Sequence, residues 1–174
     1  MQIVYGRRLF KSKIRFYNNE VVIYMNEKTN CKILHANESH KEFLIYANKA
    51  IDNVNNMEES NGLSQNIDND YFCENPKFQC LIAEVDNKSV GMILYSYFYW
   101  ASDGQVLWVS QMYIEPEYRK NGVFFKLIAK LKEENKDIKI VSCATGNENV
   151  RMQKILNYYN CHELKNLKFY CKEL

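Results

Sequence analysis

Apolar and polar residues alternate along Lys13-Ile14-Arg15-Phe16-Tyr17, and the apolar run Val21-Val22-Ile23-Tyr24-Met25 follows across Asn18-Asn19. Asn accepts the positive φ of a tight turn, so this pattern predicts a β-hairpin within the first thirty residues. Lys32-Ile33-Leu34-His35 predicts a short strand. Phe43, Leu44, Ala47, Ala50, Ile51 and Val54 then recur at helical spacing, with Ser39 and Glu42 placed to form a capping box at the helix start. The stretch 55–70 is rich in Asn, Ser, Glu and Asp and reads as a loop, with a short helix expected near Ile67 to Phe72.

Three runs of apolar, aromatic and β-branched residues come next: Phe78 to Val85, Val90 to Trp100 and Val106 to Ile114. They are separated only by Asp86-Asn87-Lys88 and Ser102-Asp103-Gly104, which predicts an antiparallel meander. After Pro116 the period changes from two to about 3.6. Val123, Phe124, Leu127, Ile128 and Leu131 then mark one face of a helix. Ile138 to Ala144 predicts another strand, and Met152, Ile155, Leu156 and Tyr159 form the stripe of a further helix opened by Asn147-Glu148-Asn149. Short strands are expected around Cys161 to Leu164 and Lys168 to Cys171. The pattern is that of an α/β (α+β) fold whose mostly antiparallel sheet is flanked by helices.

Composition narrows this picture. A chain of 174 residues with 47% apolar content can bury one good core, so one domain is expected, with residues 1–30 as an added hairpin packed on residues 31–174. The 23 basic and 21 acidic residues nearly balance, which argues against a dedicated nucleic-acid or membrane binder. The basic set Arg7, Arg8, Lys11, Lys13 and Arg15 is better read as a solvated hairpin face than as an RNA site. The six cysteines form no C-x-x-C pair and no metal-ligand spacing with His35, His40 or His162, so no metal is expected. Charges throughout the first thirty residues, and no apolar run near the ~18 residues of a membrane span, point to a cytoplasmic protein.

The stretch that carries chemistry is Met112-Tyr113-Ile114-Glu115-Pro116-Glu117-Tyr118-Arg119-Lys120-Asn121-Gly122-Val123-Phe124. A strand that runs into a helix through Arg-Lys-Asn-Gly presents backbone N–H groups at the positive end of the helix dipole, where phosphate oxygens bind. Gly122 permits close approach, and Arg119 and Lys120 add charge. This run resembles the acetyl-CoA motif of the GNAT N-acetyltransferase superfamily, in which a Pro-x-Tyr-Arg turn leads into Arg/Gln-x-x-Gly-x-Gly/Ala. The motif's last position, small in that family, is Phe124 here. The order of elements from about Lys32 to the C-terminus also follows the family.

The resemblance implies a central mixed sheet and acetyl-CoA as cosubstrate. It implies a pantetheine arm lying along Met112, Tyr113 and Ile114, and a pyrophosphate held by Arg119, Lys120, Asn121, Gly122, Val123 and Phe124. Asn149 matches the family's polar position near the thiol. The resemblance also implies transfer of an acetyl group to a primary amine of a small molecule or protein by direct attack, with no covalent enzyme intermediate. Glu115, or Gln111 and Ser110, would steer the amine or relay its proton through water. The family's thiolate-protonating tyrosine aligns with Leu156, which has no proton to give, and Tyr159 on the same helical face is the candidate in its place. Cys143 reads as a buried apolar residue and not as a nucleophile.

The segment Gly91 to Trp100, followed by Val109 to Arg119, resembles the diamine and polyamine acetyltransferase branch in its aromatic pattern. The acidic pair of that branch falls on Ser110 and Gln111, which argues against a polyamine substrate. The second reading is a binding protein that keeps the fold, with or without CoA, and has lost turnover. A homodimer is compatible with either reading.

Overall fold

The computed structural model describes residues 15–17, 20–22, 30–55 and 63–165. These fall into two compact units, one reaching Ala144 and the other starting at Thr145.

Within the first thirty residues, β1 (Arg15–Tyr17) pairs antiparallel with β2 (Glu20–Val22), Phe16 facing Val21. The main sheet of the first unit has the order β3-β4-β5-β6-β7. Its strands are β3 (Cys31–His35), β4 (Gln79–Val85), β5 (Lys88–Trp100), β6 (Gly104–Ile114) and β7 (Ile140–Cys143). All neighbours are antiparallel except β6 and β7, which run parallel. The tight connection of β4 to β5 uses Asp86 at φ 50° and Asn87 at φ 63°, the left-handed pair that matches strand twist in a two-residue hairpin.

Both faces of the sheet are covered because both sets of alternating residues on β4 and β5 are apolar. On one face Leu81, Ala83, Val90, Ile93, Tyr95 and Leu107 pack against Val123, Leu127 and Leu131 of α3 (Val123–Glu134). On the other, Cys80, Ile82, Met92 and Tyr113 pack against Leu44 and Ala47 of α1 (Lys41–Asn55) and Ile67 of α2 (Leu63–Asp70). Leu44, Leu81, Ile82, Ile93 and Leu127 are fully buried, each contributing roughly 1.5–3 kcal/mol. Gly91 lies where the start of α3 meets the sheet: a Cβ there would stand 3.2 Å from the Tyr113 carbonyl oxygen and 3.3 Å from Val123 Cγ1.

Three local expectations are corrected. The cap before α1 is built by Asn37 and His40, not Ser39 and Glu42. Asn37 Oδ1 accepts from the Ser39 N–H at 3.0 Å, and the Asn37 N–H donates to His40 Nδ1 at 3.0 Å. A 3-10 turn over Glu38–His40 precedes α1 and shifts the cap two residues earlier, to Asn37, which puts Ser39 inside the turn. α2 begins earlier than expected, at Leu63, and ends at Asp70, where the Tyr71 and Phe72 N–H groups close on the Ile67 carbonyl. Cys161 to Leu164 forms no strand, its side chains being exposed with no apolar face to bury. The strand expected at Lys168 to Cys171 lies outside the described residues.

The second unit contains α4 (Val150–Tyr158), capped by Asn149, whose Oδ1 accepts from the Met152 N–H at 3.2 Å. No helix among the described residues is long and apolar enough to cross a membrane.

Candidate active site

β6 and β7 pair only from Val106 to Val109 against Ile140 to Cys143. Beyond that point β6 runs on through Ser110 to Ile114 with no strand on this side among the described residues. Its outward backbone N–H and C=O groups therefore form an open edge, the kind of edge to which an extended amide-bearing chain can add as a strand.

The open segment starts at a bulge. Leu94 pairs with Gln111 and Tyr95 with Val109, so Ser110 is the extra residue. The Ser110 hydroxyl donates to the Leu94 carbonyl at 3.1 Å, replacing part of the lost ladder. Gln111 follows with its Oε1 buried and lacking a hydrogen-bond partner among the described residues. A buried amide oxygen without a donor costs about 1–3 kcal/mol, and this one lies on the strand that carries the open edge.

The far end of the segment is held by the Glu115 N–H, which donates to the Val90 carbonyl at 2.9 Å. Pro116–Tyr118 makes a 3-10 turn, and Arg119 folds back so that its Nε donates to the Ile114 carbonyl at 2.8 Å with its guanidinium 6.0 Å from the Tyr113 ring centroid. Lys120 at φ 69° and Gly122 at φ 83°, ψ −5° are left-handed, which curls the backbone between them. α3 then starts with no side-chain cap from Gly122. An uncapped helix start behind a left-handed turn concentrates backbone donors and partial positive charge in one place. The donors of this turn and the open edge of β6 fit the pyrophosphate and the amide-bearing arm of acetyl-CoA. The Phe124 ring, half-buried, packs edge-on against Phe125 at 5.4 Å.

The structure thus brings Gln111, Met112, Tyr113, Ile114 and Glu115 into one continuous strand end that leads into Arg119, Lys120, Asn121, Gly122, Val123 and Phe124. Asn149 and Tyr159 lie in the second unit. Burial, and after it the neighbouring Tyr158, pushes the Tyr159 phenol up to about 12, so it stays protonated at neutral pH. Cys143, expected to be buried, is instead the exposed last residue of β7, its side chain falling on an outward position of the strand's alternation.

Sequence reasoning missed what the Tyr113 side chain does. Its hydroxyl donates to Glu115 Oε2 at 3.1 Å and lies 3.3 Å from the Tyr46 hydroxyl on α1. Burial, then the hydrogen bonds with Tyr46 and Glu115, push this phenol well above its ordinary range, so it remains a donor. Tyr46 and Tyr113 meet edge to face at 5.9 Å, with Phe43 against both. The period-two alternation of β6 could have put Tyr113 and Glu115 on one face; nothing local pointed to Tyr46.

Comparison with known proteins agrees with this geometry. The sequence model of the Acetyltransferase (GNAT) family matches residues 48–158. Thialysine N-epsilon-acetyltransferases of Sus scrofa and Mus musculus are 36% and 35% identical over 72 residues, covering 37% of this chain. The chain spans 42% of the length of these curated relatives. Among solved structures, a possible acetyltransferase of Clostridium difficile 630 superposes with a TM-score of 0.68 at 21% identity, over 83% of this chain and 97% of the other. The aminoglycoside N-acetyltransferase AAC(6')-Iy in complex with CoA gives 0.68 at 19% identity, over 86% and 99%. A Clostridium acetobutylicum protein solved with acetyl-CoA gives 0.67 at 15% identity, over 81% and 96%. With its open β6 edge, its left-handed turn into α3 and a family match across most of the sheet, this chain belongs to the GNAT acetyltransferase family.

Proposed function

We propose that the protein is an acetyl-CoA-dependent N-acetyltransferase that acts on a primary amine of a small molecule or a protein. The observation that carries this reading is the open β6 edge from Ser110 to Ile114, which leads without interruption into the left-handed turn and uncapped start of α3. The backbone of Met112 to Ile114 holds the pantetheine arm, and the turn from Arg119 to Val123 holds the pyrophosphate. Acetyl-CoA supplies the thioester carbonyl that is attacked and the thiolate that leaves.

The rest is the work of this chain. Gln111 and Ser110 steer the amine or relay its proton through water. The Glu115 carboxylate takes the proton that the ammonium must lose before it can attack, directly or through one water. A backbone N–H of the open β6 edge stabilises the oxyanion where negative charge develops. No side chain is acylated.

The test is calorimetric titration with acetyl-CoA and CoA, followed by amine-dependent thiol release with thialysine, lysine and neamine. Micromolar binding and turnover of at least one amine supports the reading. Absence of binding at millimolar ligand overturns it. Binding without turnover of any amine leaves the second reading, a CoA-binding protein in which Phe124 and Leu156 have replaced the residues that turnover needs.

A further inference from the structure

We infer that Tyr113 and Tyr46 are positioning residues for the amine: Tyr113 holds one oxygen of the Glu115 carboxylate, and Tyr46 braces the Tyr113 hydroxyl from α1. This rests on the acetyltransferase reading above and adds two side chains to it.

Glu115 is the residue after the last one of β6, and its side chain has three rotatable bonds. Left to itself it would sample several rotamers and offer the amine a base at no fixed place. Proton transfer needs the base within hydrogen-bond reach of the nitrogen, so orientation matters as much as basicity. The Tyr113 hydroxyl removes that freedom by donating to Oε2 at 3.1 Å. Oε1 carries no hydrogen bond among the described residues and is the oxygen left for the amine.

Tyr113 is suited to this role because its ring is itself fixed. It is 8% exposed, packed in the core formed with Leu44, Ala47 and Met92, with Arg119 beside it and Phe43 and Tyr46 against its edge. Tyr46 is 50% exposed, so its ring contributes little to the core. What it adds is a hydroxyl 3.3 Å from that of Tyr113. The chain of contacts therefore runs from solvent through α1 to the carboxylate, on the same face of the sheet as Gln111's partner Leu94 across from Cys80.

A merely structural tyrosine and a positioning tyrosine predict different couplings. The full-length chain would be assayed by thiol release with acetyl-CoA and with thialysine, lysine and neamine, as wild type, Tyr113→Phe, Tyr46→Phe, Glu115→Gln, Tyr113→Phe/Glu115→Gln and Tyr46→Phe/Glu115→Gln. Tyr113→Phe keeps the ring and is expected to lower kcat about tenfold with the KM for acetyl-CoA held within about twofold. Tyr46→Phe is expected to lower kcat about threefold, and neither change is expected to lower it further once Glu115 is Gln. Wild-type kcat in Tyr113→Phe, or the same fold-loss with and without the Glu115 carboxylate, would overturn the inference while leaving the acetyltransferase reading intact. Should Tyr113→Phe fail to fold, the exposed Tyr46→Phe decides: a loss that persists unchanged in Glu115→Gln rules the inference out. Failure of the wild type to acetylate any amine ends both the reading and the inference.

Discussion

Gly122 offers a substitution pair that separates backbone strain from charge. Its backbone sits at φ 83°, ψ −5°, the left-handed region that costs an L-residue roughly 1–2 kcal/mol. Asn and Asp are the side chains that tolerate this region best and are nearly the same size. Gly122→Asn and Gly122→Asp should therefore lower stability by similar amounts, seen as Tm losses of about 2–8 °C for a chain of this length. They differ by one negative charge at the start of α3. A carboxylate about 5 Å from a phosphate at an effective dielectric near 20 is repelled by roughly 3 kcal/mol, which screening on a partly exposed turn reduces to about 2. The Asp variant should then bind acetyl-CoA about thirtyfold more weakly than the Asn variant in low salt, and the gap should narrow in 1 M salt. Calorimetry on the two variants, alongside melting curves, reads both effects. Equal affinities for Asn and Asp at low salt would refute the placement of a pyrophosphate at this turn, whatever happens to stability.

Two further outcomes follow from the packing. Gly91→Ala sets a methyl 3.2 Å from the Tyr113 carbonyl and 3.3 Å from Val123 Cγ1, and because a strand carbonyl cannot step aside it should cost about 1–3 kcal/mol in urea unfolding; wild-type stability would show that α3 is free to lift. The Tyr71 phenol, pushed up to about 12 by burial first and by nearby Cys80 second, holds its proton in the folded chain at pH values where the unfolded chain has lost it. Its contribution is complete below pH ~10 and falls away as pH rises through about 12, so stability should decline over that window and Tyr71→Phe should flatten the decline. An unchanged slope in Tyr71→Phe would assign the alkaline loss to other groups.

Much of the fold was legible because it rests on period and turn chemistry. The three runs from Phe78 to Ile114 were separated by turn residues of the right length, and the switch from period two to 3.6 after Pro116 marked α3. The left-handed turn into α3 was legible because Gly and basic residues between a strand and a helix have a local signature. Two kinds of feature were not. The Asn37–His40 cap competes with a nearly equivalent Ser39–Glu42 pattern, and the choice depends on a 3-10 turn that leaves no mark in the residue types. The contact of Tyr46 with Tyr113 joins residues 67 apart in sequence, and only the packing of α1 over β6 creates it. Gln111 was singled out for its place on the strand, but its unsatisfied oxygen is a property of the folded surroundings.

The extra residue at Ser110 acts as a parity switch. Leu107 and Val109 face α3, and so do Met112 and Ile114, two odd positions followed by two even ones. Were Ser110 kept but paired in regular register, without the bulge, the alternation would continue unbroken: Gln111, Tyr113 and Glu115 would be driven into the aliphatic layer beneath α3, and Met112 and Ile114 would take their place beside α1. One residue of slack thus decides whether a carboxylate and an amide oxygen look into the space beside an open strand edge or into the apolar core. A shift of one residue in the alignment of this strand would exchange the chemistry of its two faces while leaving the sheet order untouched.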